Sequence, residues 1–163
     1  MSDFLPPEYT VPSGSDHYMK FEQGENRFRI LSKPIIGWED WDNKKPIRFK
    51  MNQKPDASID PQKPVKHFWA MVVYNVLANK LQILEITQSG IQKSIKALAA
   101  DPDWGNPNGY DIKVTRKGSG LETEYALNPV PHKPLSEEIG QLYDASNINL
   151  EALFDGGDPF KTI

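Results

Sequence analysis

VKHFWAMVVYNV (Val65–Val76) is rich in β-branched and aromatic residues and long enough to cross a whole sheet. Ala78-Asn79-Lys80 marks a turn, and KLQILEIT (Lys80–Thr87) alternates as a partner strand. QSGIQKSIKALAA (Gln88–Ala100) then places Ile91, Ile95 and Leu98 at i, i+4 and i+7, one face of a helix. Thr87 and Ser89 are both plausible N-caps, and Asp101-Pro102 stops the helix. A long strand, a hairpin partner and one helix form the middle of a small barrel.

Working outward, RFRILSKPIIGW (Arg27–Trp38) reads as an entry strand, with Phe28, Ile30 and Ser32 on one side and Arg27, Arg29 and Leu31 on the other. Pro34 and Gly37 interrupt it where a barrel strand bends. PIRFKM (Pro46–Met51) is a short basic strand, and Asn52–Pro64, with three prolines, is a long exposed loop of the kind that often carries function. After the turn-dense DPDWGNPNG (Asp101–Gly109), YDIKVTRK (Tyr110–Lys117) and LETEYAL (Leu121–Leu127) alternate as a hairpin about Gly118-Ser119-Gly120. Asn128–Pro134 is extended. Ser136 caps a short C-terminal helix, Asn147–Phe154 adds a helical turn, and Asp155-Gly156-Gly157-Asp158 reads as mobile. The expected organisation is a flexible arm over 1–19, a barrel over 20–134 and an acidic helix and tail over 135–163. The order of elements predicts a mainly β fold, a five-stranded Greek-key OB-fold barrel with its helix between strands 3 and 4.

Composition bounds the function. The chain's 163 residues fit one domain, and 38% hydrophobic content with seven Phe, six Tyr and four Trp supports a packed core. The lack of Cys excludes disulfides and cysteine-based zinc sites or nucleophiles, and fits a reducing cytoplasm. No apolar run approaches the ~20 residues that span a bilayer, and the N-terminus lacks the pattern of a signal peptide, so a cytoplasmic protein without a membrane contact is expected. The net charge of −3 is unevenly spread: residues 135–163 carry −5 and the remainder +2, while residues 43–67 alone carry +5. A basic segment within the body and an acidic tail point to a polyanionic partner.

Three passages resemble the single-stranded DNA-binding proteins of tailed phages, including those of T-even type. FEQGENRFRILSKPIIGW (Phe21–Trp38) is similar to the family's entry strand, HFWAMVVYNVLANKLQILEITQSGIQKSI (His67–Ile95) to its aromatic strand, hairpin and helix, and GYDIKVTRKGSGLETEYAL (Gly109–Leu127) to its closing hairpin. The resemblance implies an OB-fold that coats single-stranded DNA in phage replication, recombination and repair, with replication or recombination proteins recruited through an acidic tail. The zinc ribbon of the T-even helix-destabilising protein has no counterpart in a chain without Cys, so no metal or other cofactor is carried over. The ending DGGDPFKTI only loosely resembles the acidic tail with terminal Pro-Phe of bacterial homologues, because three residues follow Phe160.

A non-specific strand binder needs basic residues for phosphates and aromatic platforms for bases, each stack contributing ~1–3 kcal/mol. Trp38, Trp41, Lys44, Lys45, Arg48, Phe49 and Lys50 interleave both kinds of residue. Lys66 and Trp69 follow the loop, and Arg116, Lys117 and Tyr125 lie on the closing hairpin; all twelve are candidate strand contacts. Most aromatics of a domain this size belong to its core, and a lysine run is as often a solvated surface. On Val65–Val76, Phe68 falls on the more apolar face and Trp69 on the more mixed one, which makes Trp69 the better stacking candidate. Leu153, Phe154, Asp155, Asp158 and Phe160 are the candidate partner-binding residues of the tail, which also reads as a competitor for the basic groove or a merely solvated end.

Asp101, Asp103, Asn106, Asn108 and Asp111 lack the spacing and closing Glu of a calcium loop, and turns explain them. No phosphate-loop or nucleophile-elbow motif is present and no carboxylate pair stands out, so an enzyme is not expected. The alternatives are a protein–protein adaptor with an OB-like fold and a single-stranded RNA binder.

Overall fold

The computed structural model describes residues 17–160; the greater part of the expected N-terminal arm, residues 1–16, lies outside them. Eight strands form one open, mixed sheet: β1 (Tyr18–Met19), β2 (Gly24–Ile30), β3 (Ile35–Asp42), β4 (Lys45–Lys50), β5 (Lys66–Asn75), β6 (Lys80–Ile86), β7 (Asp111–Lys117) and β8 (Glu124–Pro129). Two α-helices join them, α1 (Ser89–Ala100) and α2 (Glu137–Ser146). The main path is β1-β6-β5-β2-β7-β8, with β3 also on β5 and β4 on β3.

β5 organises this sheet, as its sequence predicts. One edge pairs with β6 along Trp69–Asn75, and the other pairs with β3 over Lys66–Ala70 and with β2 over Val73–Asn75. The expected single bent strand Arg27–Trp38 is therefore split, and its second half runs on to Asp42. Pro34 has no N–H to give to a ladder. Across the break Leu31 N donates to Val72 O, and Val72 N donates to Ser32 Oγ, both at 2.9 Å. A serine hydroxyl thus stands in for the missing strand carbonyl, and β2 and β3 keep one line along β5.

β5 is buried on both faces at its centre. Met71 and Val73 join Phe28, Leu84, Ile86, Tyr110, Ile112, Val114 and the α1 residues Ile91 and Ile95 in the larger core. Phe68, Ala70 and Ile83 build a second core with Leu153, flanked by Phe154 and Phe160. That second core corrects the reading of the tail. Residues Leu150–Asp155 form a 3-10 turn folded back onto the outer face of β5 and β6, with Leu153 only 3% exposed. Asp155–Asp158, read as mobile, is a formed turn. Gly156 takes the left-handed φ of 71°, Gly157 N donates to Ala152 O, and Asn149 N donates to Pro159 O. β1, which ends the expected arm, pairs in parallel with β6 beside this segment.

The other departures are at element ends. Gln88 occupies the cap position of α1 without a side-chain cap bond, whereas Ser136 does cap α2 by accepting from Ile139 N. A 3-10 turn over Gly120–Glu122 delays the last strand, which begins at Glu124 and extends to Pro129. Among the described residues there are eight strands in place of five, and the sheet is open: no ladder there joins β8 to β6, and α1 packs against β8 instead. No helix among the described residues is long and apolar enough to cross a membrane.

Candidate nucleic-acid interface

The β3–β4 hairpin carries most of the predicted contacts beyond the two cores. Its turn is Asn43-Lys44, both in the left-handed region at φ 51° and 69°. That is the backbone a tight hairpin requires, but glycine is the usual second residue, and a lysine there costs ~1–2 kcal/mol. Asp40, buried on β3, accepts from Trp41 N at 2.8 Å and from Ile59 N at 3.0 Å. One carboxylate therefore fixes both the base of Trp41 and the long loop between β4 and β5.

That anchoring closes a cleft of about 490 Å³ lined by Trp41, Lys44, Gln62, Lys63, Pro64 and Lys66. Trp41 is half-buried, and the three lysines and Gln62 are exposed. Among the described residues no carboxylate lines this cleft, so its walls carry three cations and one indole with no neutralising acid from those residues. Trp41, Lys44 and Lys66 were legible in the sequence as candidates. Lys63 was visible only as part of the basic segment, because nothing local shows that Asp40 draws its loop back onto the hairpin.

The remaining candidates fall elsewhere. On the opposite face of the hairpin, strand register sets Phe49, Trp38 and His67 in one row across β4, β3 and β5. Trp38 and His67 lie 5.0 Å apart, and the Lys54 ammonium sits 4.4 Å over the Trp38 ring, so one indole face is already covered. Trp38 also donates from Nε1 to Met51 O, and His67 Nδ1 bonds to Gly37 O. Lys45 is exposed beside the turn, and Lys50 lies 5.9 Å over the Phe154 ring. Trp69 continues the row along β5 but packs on the larger core. Arg116, Lys117 and Tyr125 are at the far side of the sheet, where Arg116 donates to Phe21 O and Tyr125 packs on Phe21. The structure does not bring these three to the hairpin.

Arg48 has a structural part. It is held between two carboxylates, 3.3 Å from Glu39 and 2.7 Å from Glu85, and it lies over the Phe68 ring. Burial, followed by a hydrogen bond with Glu85 and that neighbour's charge, pushes the Glu39 carboxyl far above the ordinary carboxylate range, against the pull of Arg48 and Lys66. These surroundings favour the neutral form of the Glu39 carboxyl. In the tail, Leu153 and Phe154 are engaged with the second core, and Phe160 stacks on His17 at 4.4 Å, while Asp155 and Asp158 stay exposed. The Asp and Asn residues of the 101–109 turn bond their own backbone: Asp101 accepts from Asp103 N, and Asn106 from Asn108 N.

No family profile and no solved structure matches this chain. A segment of 82 residues, half of this chain, is 29% identical to a protein of Escherichia phage T5 described as "Probable ssDNA-binding protein", and the match spans 31% of that relative's length.

Proposed function

We propose that this chain is a non-enzymatic, non-sequence-specific binder of single-stranded DNA, and that the hairpin-tip cleft is its principal contact. The observation that carries this reading is a cleft shared by Trp41, Lys44, Lys63 and Lys66, with no carboxylate among the described residues of its walls. A strand presents negative phosphates at regular intervals and exposed base faces. An indole takes the face of one base, and ammonium groups beside it neutralise the flanking phosphates. The phage T5 relative, by its description, supports the same ligand class.

The succession β6-β5-β2-β7-β8, with α1 after β6, suits an OB-type barrel left open at its closing ladder. In such folds the outer face of the second and third strands and the adjoining loops bind oligonucleotides. Here the C-terminal segment covers that face of β5 and β6, which shifts the ligand path to the hairpin. Coating of single strands during phage replication, recombination and repair is the role this binding serves. The exposed acids Asp155 and Asp158 are the tail groups offered to partner proteins.

The test is a titration of intrinsic Trp fluorescence with dT oligomers at low and moderate salt, for wild type and Trp41→Ala. Quenching with micromolar or tighter affinity, weakened by salt and by the substitution, is expected. Absence of any binding at low salt would overturn the reading in favour of an adaptor. Tighter binding of a matched RNA oligomer would reassign the ligand.

A further inference from the structure

A second groove, of about 630 Å³, opens on the same face of β5 as the Phe49–Trp38–His67 row. Trp69 and Met71 of β5 form its floor, Ile95 and Ala99 of α1 one wall, and Tyr143 of α2 reaches it from the C-terminal helix. We infer that this groove is a slot for one unstacked base of the bound strand, held against Trp69 and Tyr143, an inference that rests on the strand-binding reading above.

Placement is the first argument. Residues i and i+2 of a strand stand roughly 6.7 Å apart on one face, so Trp69 is one step beyond His67, and His67 is paired with Trp38. A strand leaving the hairpin along β5 meets aromatic rings at intervals that suit successive, splayed bases.

The second argument is the chemistry of the walls. Lys33 and Lys96 are exposed at the rim, and among the described residues no carboxylate lines the groove. Its remaining polar lining includes two primary amides. Asn106 Oδ1 accepts from Asn108 N, while the Asn106 amide nitrogen and the Asn108 side chain have no partner among the described residues. Primary amides in a groove that two aromatic rings also line fit the hydrogen-bonding edge of a base, and the lysines fit its phosphate.

The third argument is rigidity, since a preformed site loses less order on binding. The turn bearing the two asparagines is held by Arg29, which is only 4% exposed. Its Nη1 donates to Asn108 O and its Nη2 to Lys133 O, while Nε is paired with Asp111 at 2.6 Å. The opposite wall is fixed by the Ser32 bridge to Val72.

The experiment uses the full chain and a dT oligomer of about 12 nucleotides, within the range of one such domain. Tyr143→Ala removes one wall, Ala99→Trp fills the groove from α1, and Trp41→Ala is the comparator; thermal melting confirms folding of each. Expected is a loss of at least about fivefold in affinity for both groove variants, the lower bound of one base–aromatic stack, with an unaltered salt slope because no phosphate contact is removed. Photocrosslinking of a 5-iodouracil oligomer should label the peptide containing Trp69 or that containing Tyr143. If Ala99→Trp binds as wild type and no crosslink reaches either residue while Trp41→Ala is weakened, the slot is refuted and the strand-binding reading stands. If wild type fails to bind dT at all, both fall together. Should Tyr143→Ala not fold, Ala99→Trp and the crosslink still decide.

Discussion

The outer face of β5–β6 and the tip of the β3–β4 hairpin meet opposite fates. On the sheet face, Phe68, Ala70 and Ile83 are covered by Leu153 and Phe154 from the chain's own end. At the tip, Trp41 stays half-exposed among Lys44, Lys63 and Lys66. The segment that composition marks as a solvated acidic tail is thus part of the fold, and the basic segment is the surface left over. Charge does not decide which stretch is free; apolar residues at the right spacing do. Leu150, Leu153 and Phe154 recur along one side of a short helical turn, and that suffices to dock it although Glu151, Asp155 and Asp158 lie between and beyond them.

The comparison breaks most readily at Leu153. Leu153→Ala should destabilise the protein by about 2–5 kcal/mol, the usual cost of a buried Leu-to-Ala change with its cavity, measured by urea unfolding. Binding of dT by the remaining folded molecules should be unchanged. A stable Leu153→Ala protein would mean that the segment only rests on the sheet. Trp41→Ala should do the reverse. It should weaken dT affinity by roughly 5- to 150-fold, equivalent to ~1–3 kcal/mol for one stack, while the melting temperature moves little because the ring lies outside both cores. Unaltered affinity would remove the cleft from the ligand path.

How much of this was legible depends on how local each signal is. The long strand β5, its turn and partner, the helix after it and the Ser136 cap rest on period and capping residues, and they were readable. The break at Leu31–Pro34 was foreseen as a bend, but its repair by Ser32 requires knowing that Val72 lies opposite. The two-residue strand β1 has too few residues to show any period, and its partner Ile83-Leu84 is more than sixty positions away. Arg48 looked like a phosphate contact because its neighbours are lysines. Only the register Glu39↔Arg48, with Glu85 on the next strand but one, shows that it is neutralised inside the protein. Long-range pairing, not residue type, separated the lysines of the cleft from the arginine beneath the tail.

The covered face can be probed by proton linkage. Glu39 has its carboxyl pKa raised in the folded protein, so folding takes up a proton there. Stability from this group is complete below the unfolded value, near 4.3, and is lost as pH rises toward the raised folded value. The slope cannot exceed about 1.4 kcal/mol per pH unit for one proton. Glu39→Gln, which keeps the shape and stays neutral, should flatten the dependence of urea-unfolding stability between mildly acidic and mildly alkaline pH and raise stability at the alkaline end. Parallel profiles for variant and wild type would show that Arg48 keeps the Glu39 carboxylate ionised. Of the cleft lysines, Lys44 and Lys63 should leave that profile unchanged, whereas loss of Lys66, which pulls the Glu39 carboxyl down, should steepen it.

Lys63 tests the open region most finely, because it reaches the cleft only through the loop that Asp40 anchors. Each phosphate contact on a single strand contributes about −0.7 to the slope of log affinity against log salt. Lys63→Gln should therefore make the slope shallower by about that amount without altering quenching at saturation, since the indole of Trp41 is retained. Asp40→Asn should produce a similar shallowing with Lys63 intact, because the carboxylate that accepts from Trp41 N and Ile59 N has become a weaker acceptor. If Lys63→Gln shallows the slope and Asp40→Asn does not, the loop finds its place without the anchor. If neither does, the phosphates pass along Lys44 and Lys66 alone, and the cleft contacts the strand from its hairpin side only.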